Sequence, residues 1–484
     1  MKWMRVILMM AAGMTFMAWS NGKYLISVAA WIFPVLFMMA VKEMSFRKAW
    51  VLLPLATGTA NQISFHHLLP SLDLPFFEYL PGLAGALYAI PYLLQKHAYQ
   101  RSDSFIVTLL FPSAYTLLDT LHMYFNPYGS FGHLGYSQHQ LLPVMQMASI
   151  LGITGLTFLI TWTAAVVFWL MHGEATLKKR RTALVMAGVL AAALTLGGLR
   201  TISGGEKETV HVAGLHIFDR TNEETTEIFQ LQESDPSLFL EKAGERMDEL
   251  IKATEKEAEH GAEIIHHAEG SVIIDESQKT EYLDRLREVA VKAGVYIITV
   301  PYIYTPSEEP NENVLYIIDQ NGEIAAEHYK YGGSFVEQTV EGDGDIPYVD
   351  TPYGRIAGVI CWDKDFPAVM NQVGEKDIDL LFVPSADWKE ISPYHTIAGT
   401  LRGLENGAAV ITQTVNGMSM ITDADGRTLA EMDHFATDDW TMHGHVPVEG
   451  KRTFYTVAGQ YFPVCIIIAV ILLLYVVFIR KQRK

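Results

Sequence analysis

From Val6 to about Leu199 the chain is a series of apolar runs, each close to the ~20-residue helix that crosses a bilayer core. This succession limits the fold more than any other feature. In lipid a backbone must satisfy its own N–H and C=O groups, so such runs are expected to be helices. Seven spans are expected near 6–20, 24–41, 49–65, 79–95, 104–121, 143–171 and 182–199, and Pro463–Ile479 is an eighth. The first is read as retained rather than as a cleaved signal peptide, because no convincing small-residue cleavage site follows it and another apolar run begins at once. Pro34, Pro54, Pro91 and Pro112 are positions where kinks or breaks are expected.

Basic residues orient these spans, because Lys and Arg near span ends collect on the cytoplasmic side. They cluster at Lys2/Arg5, Lys42/Arg47/Lys48, Lys96/Arg101, Lys178–Arg181 and Arg480–Lys484, at every second gap, while 61–78 and 122–142 carry none. The expected organisation is a membrane domain over 1–199, an extracytoplasmic domain over 200–460, and a closing helix with a basic tail over 461–484. Both termini are then cytoplasmic, and Thr201–Gly205 reads as a linker. Few ionisable groups lie inside the spans, Asp119 being the clearest, which argues against an ion-coupled transporter. With 36 Lys and Arg against 54 Asp and Glu, the net charge of −18 disfavours nucleic acid as a partner.

Beyond the linker the composition becomes that of an α/β domain. Apolar strands are expected at 210–218, 264–265, 295–300, 314–318, 324–329, 356–360, 380–383, 408–412 and 418–421, with helices at 237–260, 279–293 and 394–406. Asn321-Gly322 and Asp425-Gly426 are natural tight turns between strands. Alternation of this kind implies helices packed on sheet.

Cys465 falls in the last expected span, so Cys361 is the single thiol of this domain. It sits just past an apolar strand, in Gly358–Pro367 (GVICWDKDFP), where the chain turns toward an expected helix start. Nearby helix N–H groups favour a thiolate. A cysteine nucleophile needs a base for its proton and a cationic or N–H donor for the oxyanion it creates. Glu269, after 262–268, and Lys330, after 324–329, are read as strand-end candidates for those tasks.

His266 and His267 are adjacent on a strand, so their side chains should point to opposite faces rather than share a metal. There is no H-E-x-x-H pair, and Glu341–Asp345 lacks EF-hand spacing, so it reads as a solvated turn and no metal is expected. Neither Walker loop, dinucleotide fingerprint nor serine elbow occurs, so no cofactor is expected.

GVICWDKDFP, Pro384–Trp388, Arg402–Gly407 and Asn416-Gly417 together resemble the nitrilase, or carbon–nitrogen hydrolase, superfamily. With the membrane spans, with Leu142-Pro143, Gln146, Ala148, Gly152, Gly155 and Phe158, and with Thr453–Tyr455 and Gly459, the chain is similar to the apolipoprotein N-acyltransferase family. The resemblance implies a polytopic α-helical membrane domain joined to an αββα sandwich, in a bacterial-type plasma membrane. It also implies a catalytic triad of Glu269, Lys330 and Cys361, with Glu337, Trp362, Trp388 and Asn416 in substrate-binding or supporting positions.

Three departures mark a divergent member. Glu269 sits in His266–Ser271 rather than after a Trp-Pro pair, Tyr331–Gly333 follows the lysine with Glu337 one position early, and Trp362-Asp363 replace the commoner Tyr-Glu. The implied chemistry is transfer of an acyl chain from a phospholipid, through a cysteine thioester, to the N-terminal amine of a lipoprotein or another amine. Lys330→Ala is then expected to abolish activity without affecting folding. A membrane-anchored amidase using water is the alternative, and a non-catalytic membrane binding protein on the same scaffold is the reading from another class. Exposed aromatic loops at 123–128 and 74–77 are candidate guides for acyl chains or ordinary loop packing.

Overall fold

The computed structural model describes every residue except 1, 70–75, 103, 172–175, 203–207, 218, 220–221, 307–309 and 480–484. Part of the expected linker, the whole basic tail Arg480–Lys484 and residues 74–75 of one aromatic loop therefore lie outside the described residues. The chain divides into two compact units. One takes Met1–Asn126, Ser130–Ser203 and Phe454–Lys484; the other takes Pro127–Gly129 and Gly204–Thr453.

The first unit is helical. Among the described residues, Lys2–Ser20, Phe105–Phe125, Ala148–Leu170, Leu177–Ile202 and Gly459–Phe478 are long and apolar enough to cross a membrane. Over the other expected spans lie Ser27–Glu43 and Phe46–Phe65, which hold Pro34 and Pro54 inside intact helices. The run at 79–95 is not continuous: it breaks between Leu80–Leu87 and Ile90–Tyr99, with Pro91 in the first turn of the second helix, where a missing N–H costs no hydrogen bond. The run at 143–171 is also divided, into Leu142–Met145 and Ala148–Leu170, the latter bent where Gly152 takes φ +72°. Asp119 is fully buried and accepts from Tyr88 Oη at 2.7 Å, Thr157 Oγ1 at 2.8 Å and Leu134 N at 3.1 Å, which accounts for a carboxylate in an apolar bundle.

The second unit is a two-sheet sandwich with helices outside. One sheet contains β1 (Thr209–Leu215), β2 (Ile264–Asp275), β3 (Tyr296–Tyr304), β4 (Glu312–Ile318) and β5 (Ile324–Tyr329). The other contains β6 (Tyr348–Thr351), β7 (Gly354–Gly358), β8 (Leu380–Ala386), β9 (Ala409–Val415), β10 (Met418–Thr422) and β11 (Thr428–Asp433). The chain then returns as β12 (Thr441–Pro447) to the first sheet, giving the orders β12-β1-β2-β3-β4-β5 and β11-β10-β9-β8-β7-β6. Each sheet has a parallel centre, β1-β2-β3 and β7-β8-β9, with antiparallel flanks. Parallel centres need crossovers, supplied by α1 (Pro236–Glu259), α2 (Lys279–Ala293), α3 (Pro367–Glu375) and α4 (Tyr394–Asn406).

Local chemistry explains these elements. Asp235 caps α1 by accepting from Leu238 N, and Phe239, Met247, Leu250 and Ile251 form its buried stripe. Gly294 ends α2 in the left-handed conformation. Asn321-Gly322 and Asp425-Gly426 lie between β4 and β5 and between β10 and β11, with Gly322 at φ +79°. His266 and His267 do face opposite ways: His267 bonds Thr254 and Thr299 hydroxyls at 2.9 Å, while the His266 ring meets Phe382 of the other sheet. Burial pushes both imidazoles down to about 3, so they are neutral core residues.

One reading needs correction. Met123–Phe125 is the last turn of a helix rather than a loop, and beyond it Tyr128 is buried against Trp362. Glu341–Asp345 is solvated as expected, with Glu341, Asp343 and Asp345 exposed, while its backbone is anchored: Gly342 N donates to Lys330 O at 2.9 Å, and the Asp345 carbonyl meets His328 Nδ1 at 2.9 Å, so the run braces β5 and the residue after it.

Candidate active site

Glu269 is not at a strand end. It lies inside β2 where pairing with β3 slips, from His266↔Ile298 to Glu269↔Val300 to Ile273↔Tyr302, and Gly270 takes φ +56°. Such a bulge re-aims a side chain out of the regular alternation. Lys330 directly follows β5, and Cys361 comes just past β7, heading the short 3-10 turn Cys361–Asp365.

These positions converge. Lys330 Nζ donates to Glu269 Oε1 at 2.6 Å and also to Glu337 Oε1. Asn313 of β4 bridges the two carboxylates, with Nδ2 at 2.8 Å from Glu269 and 3.1 Å from Glu337. Ala386 N, at the end of β8, donates to Glu269 Oε2 at 2.9 Å, so both sheets hold this side chain. Glu337 therefore joins the cluster despite its altered spacing, because the helical turn Ser334–Glu337 carries it back to the lysine.

The electrostatics follow from burial. Burial alone lowers the Lys330 ammonium, but the Glu269 and Glu337 carboxylates outweigh it and hold lysine well above its ordinary range. Burial pushes the Glu337 carboxyl up, with Lys330 opposing. Burial and the Glu269 charge push the Cys361 thiol well above its ordinary range, against the weaker pull of Lys330 and Lys364. This reverses the expected thiolate: the sulfur heads an isolated 3-10 turn, α3 begins only at Pro367, and a nearby carboxylate repels the anion.

The backbone of Cys361 is itself unusual, at φ +51°, a region costly for any residue with a Cβ. Two networks hold it. Asp363 accepts from Ile360 N at 2.9 Å, His328 Nε2 at 2.7 Å, Tyr331 N at 3.0 Å and Gly332 N at 2.6 Å, tying the cysteine turn to the segment after Lys330. Lys364 Nζ donates to Cys361 O at 2.8 Å and lies 2.7 Å from His395 Nε2. The ammonium only donates, so Nε2 accepts, and His395 Nδ1–H is left to donate to Asp387 Oδ1 at 2.8 Å.

Trp362 is buried, its ring 4.4 Å from His395 and 5.0 Å from Tyr128. Trp388 and Asn416 lie beyond the C-terminal ends of the paired strands β8 and β9, Asn416 at φ +55° in the turn to β10. Asn313, His328, Lys364, Asp387 and His395 were not singled out from sequence. Lys364 stands inside GVICWDKDFP and Asp387 inside Pro384–Trp388, and a charged residue beside an apolar strand was the available signal. Cys361, Asp387 and His395 offer ligand atoms within 4.8 Å of one another. The Lys364 ammonium facing the same imidazole opposes a bound cation, so this trio fits a hydrogen-bonded relay better than a metal centre.

The family model of the apolipoprotein N-acyltransferase N-terminal domain matches residues 11–166, and that of carbon-nitrogen hydrolase matches 235–449. The two stand in this order on one chain. The chain belongs to the apolipoprotein N-acyltransferase family, in the nitrilase superfamily. The apolipoprotein N-acyltransferase of Shewanella oneidensis is 23% identical over 86% of this chain and 80% of its own. Apolipoprotein N-acyltransferase 2 of Treponema denticola is 20% identical over 87% of each. An amidase from Nesterenkonia sp. superposes with a TM-score of 0.41 at 17% identity, over 52% of this chain and 94% of its own. Apolar helices and a nitrilase-like α/β unit share this one chain, and the protein is a membrane protein.

Proposed function

We propose that this protein is a membrane N-acyltransferase that moves an acyl chain from a phospholipid to the N-terminal amine of a lipoprotein, through a thioester on Cys361. The observation that carries this reading is that the two family models stand in this order on one chain, with the buried Glu269–Lys330 ion pair inside the second. The thiol is protonated at rest, so the base must act as the ester carbonyl arrives. Glu269 takes the Cys361 proton, sulfur bonds to the carbonyl carbon, and Lys330 stabilises the oxyanion. Collapse breaks the ester C–O bond, Glu269 returns the proton to the leaving alkoxide, and a lysophospholipid departs. The acceptor amine then attacks the thioester with Glu269 again as base, forming the amide and restoring the thiol. Glu337 and Asn313 keep Lys330 charged and Glu269 aimed.

The Lys and Arg distribution supports an extracytoplasmic catalytic unit within about 200–460 and cytoplasmic termini. The test uses the full-length protein in phospholipid vesicles. Intact mass spectrometry is expected to find one acyl group on the chain, absent from Cys361→Ala, and a diacylated lipopeptide should discharge it as an amide. Free fatty acid as the discharged product would instead identify a hydrolase, and an unacylated Cys361 would overturn the reading.

A further inference from the structure

The carboxylates of the cysteine cluster differ in what they already hold. Glu269 gives Oε1 to Lys330 and Asn313, and Oε2 to Ala386 N. Glu337 gives one oxygen to Lys330 and the other to Asn313. Asp387, directly after β8, accepts at Oδ1 from His395 Nδ1–H at 2.8 Å, but its buried Oδ2 meets no hydrogen-bond donor among the described residues. The Asp387 side chain is 1% exposed, so water in bulk does not serve this oxygen. A Cβ at Gly417 would come within 3.1 Å of Oδ2, so the glycine keeps the space beside it open.

This carboxylate stands next to the nucleophile. An oxygen of Asp387, a ring nitrogen of His395 and the Cys361 sulfur lie within 4.8 Å of one another. The imidazole is engaged on its far side, where Nε2 is 2.7 Å from Lys364 Nζ and 3.3 Å from Asp365 Oδ2. A buried carboxylate oxygen left without a donor is costly, so a donor belonging to a substrate is the natural partner for Oδ2. Proton balance in the second half-reaction identifies that donor. An α-amine, with a pKa of about 7.7–8.0, arrives mostly as ammonium at neutral pH. Its nitrogen carries three protons and the product amide one, so two must leave. One returns to the Cys361 sulfur by way of Glu269, and the other needs a second acceptor. An attacking water passes a single proton to its base, so the second acceptor is a requirement of the amine alone.

We propose that Asp387 Oδ2 pairs with the ammonium of the acceptor and takes its first proton, selecting a basic primary amine over water; this rests on the acyl-transfer reading above. The neutral amine then attacks the thioester carbonyl carbon. Glu269 takes the second proton as the C–N bond forms, and returns it to sulfur as the C–S bond breaks. Asp387 gives its own proton to solvent once the amide departs, which readies the site for the next acceptor.

The test uses the full-length chain in phospholipid vesicles, acylated first and then mixed with a diacylated lipopeptide, with amide formation followed by mass spectrometry from about pH 6 to 9. Asp387→Asn keeps an oxygen for His395 but replaces Oδ2 with an amide that cannot take a proton. The variant must then use amine that is already neutral, about one tenth of the total at pH 7 and about one hundredth at pH 6 for a pKa near 8. Its transfer rate should climb about tenfold per pH unit up to about pH 8 and then level, so that its deficit against the native chain is deepest in mild acid and shrinks with pH. On the native chain, KM for the lipopeptide should rise above about pH 8 as the ammonium is lost, a readout that decides the matter if the variant does not fold. Parallel pH curves for two acylated chains, a folded variant that forms no acyl-enzyme, or a native KM flat through pH 8 would overturn the role of Asp387 and leave the acyl-transfer reading standing. A native chain that forms no acyl-enzyme would overturn both.

Discussion

Lys330 Nζ donates to Glu269 Oε1 across 2.6 Å, in a place where neither side chain is appreciably exposed. The same ammonium also serves Glu337, so one cation balances two carboxylates beside a neutral thiol. Passing the Cys361 proton to Glu269 moves negative charge from carboxylate to sulfur without adding to it, so the Lys330 ammonium faces the charge on either side of the transfer.

Removing Lys330 should cost more than catalysis. The expectation of a normally folded Lys330→Ala chain gives way, because the substitution strands Glu269 in the interior. Lys330→Met is expected to lower acyl transfer at least about 100-fold and to destabilise by about 3–5 kcal/mol, as loss of one partner of a buried pair does. Thermal unfolding and acyl-enzyme formation rates measure the two effects. A fully active Met variant would remove Lys330 from the mechanism.

The Glu269 charge helps keep Cys361 protonated, so Glu269→Gln should lower the thiol's proton affinity while removing the base. Iodoacetamide alkylation of Cys361 at about pH 8 is expected to accelerate several-fold in this variant, while acyl transfer is lost. Peptide mass spectrometry scores Cys361 separately from Cys465. Slower alkylation would mean that Glu269 already shares the thiol proton at rest.

Gly342 donates to the Lys330 carbonyl, and a Cβ there would collide with the Tyr329 carbonyl oxygen. Backbone cannot yield as a flexible side chain does. Gly342→Ala is expected to cost about 1–3 kcal/mol from overpacking and to lower turnover through displacement of Lys330. Equal Tm and turnover in the variant would show that this contact does not position the lysine.

His328 provides a pH signature. Burial lowers its imidazole, but the hydrogen bond and charge of Asp363 outweigh that and leave it raised. A histidine raised on folding stabilises fully below its unfolded value, about 6.5, and loses that contribution as pH climbs through the folded value. The Tm advantage of the native chain over His328→Gln should thus be largest in mild acid and shrink toward alkaline pH. An advantage that grows with pH would contradict the pairing.

Much of the local structure was legible in the sequence. The spans expected for α2 and α4, at 279–293 and 394–406, match the helices, because each carries a 3.6-residue apolar stripe and a glycine at its end. Strands β6, β11 and β12 escaped notice, being short or exposed edge segments without a continuous apolar run. The break in 79–95 was marked by Pro91, yet hydropathy averaged over the run concealed it.

Side-chain type and periodicity act over a few residues, so the amino-acid order by itself determined the apolar helices, the α/β alternation and the tight turns, and offered Glu269, Lys330 and Cys361 as candidates. Only the tertiary structure decided that Asn313 bridges Glu269 and Glu337, that Asp363 ties the cysteine turn to the lysine segment, and that Cys361 rests protonated. Those outcomes depend on which strands lie side by side and on how much water their packing removes, and both are properties of contacts between residues remote along the chain.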